Sequence, residues 1–288
     1  MLYLRLYREP FIIKRLHMLK KLFTILVYIF AAVGFFLVAG YAAVRFGWTN
    51  EPGIIDVQRE AFLGASPSLS TYSGPWQESE EWQILESAIR RDADVINRAA
   101  VDSGVPARLI VANLITEQLR LFFTEREAYK QFFYPLKILG SQTQFSWGVM
   151  GMKEETAIPV ELHLKDSASP FYLGPAYEDL LDLPATTTDI KTARFVRMTD
   201  QHNHYWSYLY AGLFMKQIEA QWRTAGFPID GQVAVISTLY NIGFERSVPK
   251  EDPQVGGAAI TVGGKTYSFG GLAAEFYYSD ILLDVFPR

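Results

Sequence analysis

The chain has no cysteine. Disulfides, thiol nucleophiles and thiolate metal sites are therefore excluded, and the redox compartment is left undetermined. Histidine is scarce, with four in the chain. His202 and His204, with Asp200 or His163 as further ligands, show no HExxH or comparable spacing, so no metal and no other cofactor is expected. No serine occupies a Gly-x-Ser-x-Gly elbow, since Ser146 lies in Phe-Ser-Trp-Gly. Gly256-Gly257 and Gly263-Gly264 read as turn glycines rather than a phosphate cradle. Internal repeats and low-complexity tracts are also lacking.

Basic charge exceeds acidic charge in one short segment and is outnumbered elsewhere. The first 21 residues carry Arg5, Arg8, Lys14, Arg15, Lys20 and Lys21 against Glu9, a net of +5; the whole chain is −4, so the remainder is −9. An acidic domain lacks the clustered Lys and Arg that phosphate contacts need, which excludes nucleic acid as a partner. Immediately after the basic segment comes the uncharged run LFTILVYIFAAVGFFLVAGYAAV, residues 22–44. About 20 helical residues span a bilayer core, so the run predicts one N-terminal transmembrane helix. The positive-inside rule places the N-terminus in the cytoplasm and everything after residue 44 outside, through a single pass of the inner membrane. A cleaved signal peptide is the alternative, with Gly40 and Ala42 at cleavage spacing, although the run is longer than a usual h-region. Met18 is a second possible start.

Residues 45–77, with the stretch GASPSLSTYSGP, read as a linker. From 78 to 288 the periodicity is mostly helical. Ser79 is the expected N-cap of a helix to about 102, ended by Ser103-Gly104. Pro106 opens another helix, to about 123. Residues 158–200 hold five prolines or glycines and weak periodicity, and read as an insertion. Helical pattern returns over 205–225, with Gly226 as C-cap candidate, and again from an Asp230 cap to about Tyr240. The tail, 256–288, predicts a two-residue β-hairpin around Gly263-Gly264 and a terminal helix over 271–285. The fold class is thus mainly α with one small hairpin.

Three segments carry candidate chemistry. On the 106–123 helix, Asn113, Glu117 and Arg120 share one face, while Leu109, Ile110, Val111, Leu114, Ile115 and Leu119 make the rest apolar. Burial and the negative helix end both favour a protonated Glu117, the form a glycosidic acid needs; Arg120 opposes this, and a plain Glu117–Arg120 surface pair is the other reading. The second segment is 145–157, Phe-Ser-Trp-Gly-Val-Met-Gly-Met-Lys-Glu-Glu-Thr-Ala, and the third is Tyr240-Asn241-Ile242-Gly243. Tyr240 is either a sugar-positioning residue or core packing. The cluster Tyr205, Trp206, Tyr208 and Tyr210 is either helix packing or a sugar-stacking surface.

Taken in order over about 100–245, these segments resemble the lysozyme-like family of lytic transglycosylases and goose-type lysozymes, which cut peptidoglycan. There a catalytic Glu near a helix end precedes a Ser-x-Gly-Leu-Met-Gln…Thr-Ala segment and a helix ending in Tyr-Asn-Ala-Gly. The resemblance implies a lysozyme-like helical domain whose partner is the peptidoglycan glycan strand. It implies Glu117 as the single acid/base, with Ser146, Gly148, Met150, Tyr240 and Asn241 along the substrate cleft. The product is a 1,6-anhydro sugar if the muramoyl C6 hydroxyl attacks, and a hydrolysed chain if water does. A silent wall-binding or scaffold domain is the rival expectation. Four departures bear on the substrate contacts. Gln118 follows the Glu where the family has Ser, Gly151 stands in place of Gln, Lys153-Glu154-Glu155 replaces a Pro-containing turn, and the gap from Glu117 to Gly148 is longer.

Overall fold

The computed structural model describes residues 9–45, 62–64, 74–122, 146–200 and 202–288. Two compact units divide the chain, one containing 1–50 with 135–141 and the other 51–134 with 142–288. The first unit is described through a single helix, α1, Glu9–Arg45. Its apolar side chains from Leu22 to Phe36 are exposed. Among the described residues no helix is long and apolar enough to cross a membrane. Within the expected span 22–44, the side chains at 37 and 40–44 lie outside the described set.

The second unit is mainly helical, with two short antiparallel hairpins. Its elements are α2 (Glu80–Arg91), α3 (Ala93–Ser103), α4 (Ala107–Phe122), β1 (Ser146–Trp147), β2 (Met152–Lys153), α5 (Glu154–Lys165), α6 (Ile190–Met198), α7 (Tyr205–Thr224), α8 (Val233–Ile242), β3 (Ala259–Val262), β4 (Lys265–Ser268) and α9 (Phe269–Tyr278). Helix α4 is central: every residue from 108 to 120 is buried. It packs against α2 and α3, α7, α9 and strand β3. A helix wrapped on all sides carries apolar residues on most of its faces, and its buried polar groups Arg108, Asn113, Thr116, Glu117, Gln118 and Arg120 must find partners inside the protein.

Several expectations hold. Ser79 caps α2, its hydroxyl accepting from the Trp82 amide at 3.1 Å. The Gly263-Gly264 turn joins β3 to β4 with Val262 opposite Lys265. Both turn glycines have positive φ, and a Cβ at Gly263 would lie 1.4 Å from the Gly74 carbonyl oxygen. The hairpin tip is therefore seated directly on the backbone that leads into α2.

Other expectations are corrected. The single helix over 79–102 is two, broken at Asp92, whose φ of −89° and ψ of 5° leave the helical region. Its carboxylate accepts from the Tyr208 hydroxyl at 2.7 Å and bonds His204 Nδ1 at 2.5 Å, and those tertiary bonds hold the break. Asp230 does not cap α8; it pairs with Arg223, and Gln232 occupies the cap position. The 158–200 segment is more ordered than its prolines suggest, because α5 runs through Pro159 and α6 lies within it. Gln217 of α7 helps hold α5 by donating to the Val160 carbonyl at 2.9 Å.

The terminal helix stops at Tyr278, seven residues before its expected end at 285. Arg108, fully buried on α4, gathers the chain there. Its guanidinium donates to the carbonyls of Phe276, Tyr277, Ser279, Ile281 and Phe286, at 2.7–3.0 Å. The guanidinium thus satisfies carbonyls that the end of the helix leaves without an intrahelical partner. The linker expectation over 45–77 also changes. Trp76 is buried, and its ring nitrogen donates to Glu275 at 3.2 Å. Phe62 and Leu63 are buried too, with Arg91 donating to the Phe62 carbonyl at 2.6 Å and His204 edge-on to the Phe62 ring. The rest of 46–73, apart from Gly64, lies outside the described residues.

Candidate active site

Glu117 sits one turn before the end of α4 and is 4% exposed. The expectation of a lone acid among hydrocarbon is corrected: Arg120, three residues on, brings its guanidinium onto the carboxylate, with Nε 3.2 Å from Oε2 and Nη2 bonded to Oε1. The surface-pair reading is corrected as well, since both side chains are buried. Asn113 turns away, donating to the Leu109 carbonyl at 2.9 Å and touching the Met215 sulfur. The polar stripe of α4 is thus divided between two environments.

Facing Glu117 is the loop of the β1–β2 hairpin. Ser146 pairs with Lys153 and Trp147 with Met152, leaving Gly148-Val149-Met150-Gly151 as the turn. The Gly151 amide closes it on the Gly148 carbonyl at 3.1 Å. Gly148 and Gly151 have φ of +67° and +62°, the left-handed region that side chains disfavour. Three helices clamp the turn. Gln118 of α4 donates to the Val149 carbonyl at 2.6 Å, Ser207 of α7 accepts from the Met150 amide at 3.3 Å, and Tyr240 of α8 donates to the Met150 carbonyl at 2.8 Å. Val149 and Met150 are buried beneath it.

The closest approach is at Gly151. A Cβ built there would lie 2.4 Å from Oε1 of Glu117, 2.8 Å from its Cδ and 3.0 Å from its Cγ. The carboxylate therefore rests on bare backbone. Tyr240 completes the cluster. Burial raises its pKa well above the usual phenol value, with the Glu117 charge adding to the rise and Arg120 opposing it. The Phe214 and Phe269 rings flank it at 5.4 and 6.3 Å.

No family model, curated protein or solved structure matches this chain. The family resemblance accordingly rests on the motif residues alone.

Of the residues singled out from sequence, Glu117, Gly148, Met150 and Tyr240 come together. Tyr240 is 9% exposed, and its hydroxyl is spent on the Met150 carbonyl. It holds the turn rather than presenting itself to a ligand. Asn241 turns elsewhere, its side-chain oxygen accepting from the Ala258 amide at 2.8 Å and so fixing the approach to β3. Ser146 contributes backbone pairing to the hairpin, and its side chain lies outside the described residues.

Gln118 and Ser207 are the residues sequence reading missed. Gln118 stood out only as a departure from a Glu-Ser pair, and Ser207 is one polar residue within an aromatic helix. The aromatic group on α7 is occupied internally. Tyr205 bonds Asp102, Tyr208 bonds Asp92, Tyr210 bonds Glu161, and Arg197 lies 4.8 Å over Trp206. Those contacts accord with the packing reading. Among the described residues no group of three or more His, Asp or Glu is placed to hold a metal ion.

Proposed function

We propose that the protein is a membrane-anchored peptidoglycan glycosidase of the lytic transglycosylase type, with Glu117 as its one acid and base. What supports this reading is the convergence of Glu117, the 148–151 turn and Tyr240 from three separate stretches of chain onto one buried point. On this reading, Arg120 releases the carboxylate as the glycan enters, and the carboxylate takes up a proton from solvent. Protonated Glu117 then donates to the oxygen linking N-acetylmuramic acid to N-acetylglucosamine. The anomeric carbon gains oxocarbenium character, and the muramoyl acetamido group assists from its own ring, so a second protein carboxylate is unnecessary. Glu117, now ionised, takes the proton of the incoming hydroxyl. Attack by the muramoyl C6 hydroxyl gives the anhydro product.

The anchor is the uncharged 22–44 stretch within α1, with the basic segment in the cytoplasm and the 78–288 domain facing the wall. Exposed apolar side chains along 22–36 support it.

One observation favours a second reading. The Glu117–Arg120 pair is closed and buried, as it would be in a glycan-binding or scaffold domain without turnover. The test is incubation of the detergent-solubilised full chain with purified peptidoglycan, followed by mass analysis of released fragments. The expected product is a muropeptide lighter than the hydrolytic one by a water, lost on Glu117→Gln while the variant stays folded by circular dichroism. Glycan binding with no released fragment would overturn the enzyme reading in favour of the scaffold.

A further inference from the structure

We propose that Gly151 is a positioning residue for the acid at 117: the missing side chain is what sets where the carboxyl lies. The inference rests on the reading of Glu117 as the acid and assigns the departure at position 151 a role in that site. Positive φ alone would not demand glycine, since Asn and Asp also adopt the left-handed region. The contact does. Ordinary van der Waals approach to a Cβ begins near 3.4 Å, whereas Oε1 of Glu117 would stand at 2.4 Å, so a methyl group forces a separation about 1 Å greater.

Neither partner has an easy retreat. The turn is bonded to Gln118, Ser207 and Tyr240 and closed by its own Gly148–Gly151 bond. The carboxylate carries Arg120 on its other oxygen as well. The carboxyl is thus pinched between a guanidinium and a backbone that three helices immobilise. A Gln at 151 would bring its Cβ within 2.4 Å of the Glu117 oxygen, so in this geometry the carboxyl would have to move to accommodate it. A misplacement of about 1 Å at a reacting group costs on the order of 100-fold in rate.

The experiment is a double-mutant cycle on the full chain in detergent, with Gly151→Ala, Glu117→Asp and the double variant. Gly226→Ala serves as a control, because its φ is +86° and its new methyl would meet nothing within 4 Å. Melting temperature is measured alongside turnover of a soluble N-acetylmuramoyl–N-acetylglucosaminyl oligosaccharide. Gly151→Ala is expected to melt several degrees below Gly226→Ala. It is also expected to lose about 100-fold in kcat with KM nearly unchanged. Glu117→Asp, shorter by one methylene, makes room for the methyl, so the double variant recovers part of the melting loss. A Gly151→Ala protein that melts with the control and keeps its kcat overturns the positioning role while leaving the glycosidase reading intact. Coupled melting with no turnover by the wild type overturns the glycosidase reading, and with it the role of Gly151.

Discussion

Arg108 is the residue whose removal should cost this fold most for the smallest change in shape. Replacing it with Met keeps an unbranched stem of similar length and deletes five donors to the 276–286 segment. Two of the five bonds, to Phe276 and Phe286, are buried at both ends, while the other three are partly accessible and their carbonyls can turn to water. The Phe276 carbonyl keeps the Ser279 amide and hydroxyl as donors, so Phe286 is the buried acceptor left unsatisfied, at roughly 1–3 kcal/mol, and the other four lost bonds, at about 0.5 kcal/mol each, add about 2 kcal/mol. Relief from burying a cation offsets part of that loss. A net of about 3 kcal/mol follows, which for a domain of this size lowers the melting temperature by about 6–12 °C. Calorimetry or circular dichroism on Arg108→Met measures it directly. Hydrogen exchange should localise the change to amides between 276 and 286. Arg108→Lys should fare little better, because a single ammonium cannot reach five carbonyls arranged around a planar fork. A melting temperature within 2 °C of wild type for Arg108→Met would refute the reasoning, since it would mean that water or repacking replaces the guanidinium freely.

Two carboxylates on the helical domain should respond to pH in opposite ways. Burial pushes Glu161 upward, but its bonds to Arg194 and Tyr210 and the nearby Arg197 charge outweigh that, so its folded pKa is lowered. Its contribution is present above the unfolded value of about 4.3 and disappears as pH falls through the folded one. Acid melts of Glu161→Gln should therefore be flatter than wild type below about pH 4. Burial raises the pKa of Glu219, with Lys216 only partly countering it. That group destabilises the fold as pH rises past about 4.3, so Glu219→Gln should melt higher than wild type at pH 7 and equal to it near pH 4. Phe62→Ala should release residues 62–64 from the Arg91–His204 surface, seen as faster amide exchange there. The domain should lose less than the roughly 3–5 kcal/mol of an ordinary core Phe truncation, because the segment can undock instead of leaving a cavity.

The parts of the fold that were legible in the sequence are those set by local chemistry. Ser79 with acids behind it marks a helix start, and Gly263-Gly264 between alternating residues marks a hairpin; both act within a few residues. The parts that were not legible depend on partners far along the chain. The break at Asp92 is held by His204 and Tyr208, more than 100 residues away. The carbonyls around the early stop of α9 are gathered by Arg108, and Trp76 is held by the terminal helix. The site divides in the same way. Glu117 was visible as a charge in an apolar helix, and the glycines of the turn as breaks in pattern. That the Tyr240 hydroxyl grips the Met150 carbonyl, and that Asn241 bonds the approach to β3, are facts of packing that no spacing encodes.

The Arg108 cluster also dictates an order of events during synthesis. One of its acceptors, at Phe286, lies 178 residues downstream. At about 5–20 residues per second, a ribosome needs roughly 10–35 s to deliver that carbonyl after Arg108 has appeared. Throughout that interval the central helix carries a cation whose cage is incomplete. Residues 276–286 complete it, and translation arrested before residue 286 should leave a more protease-sensitive product.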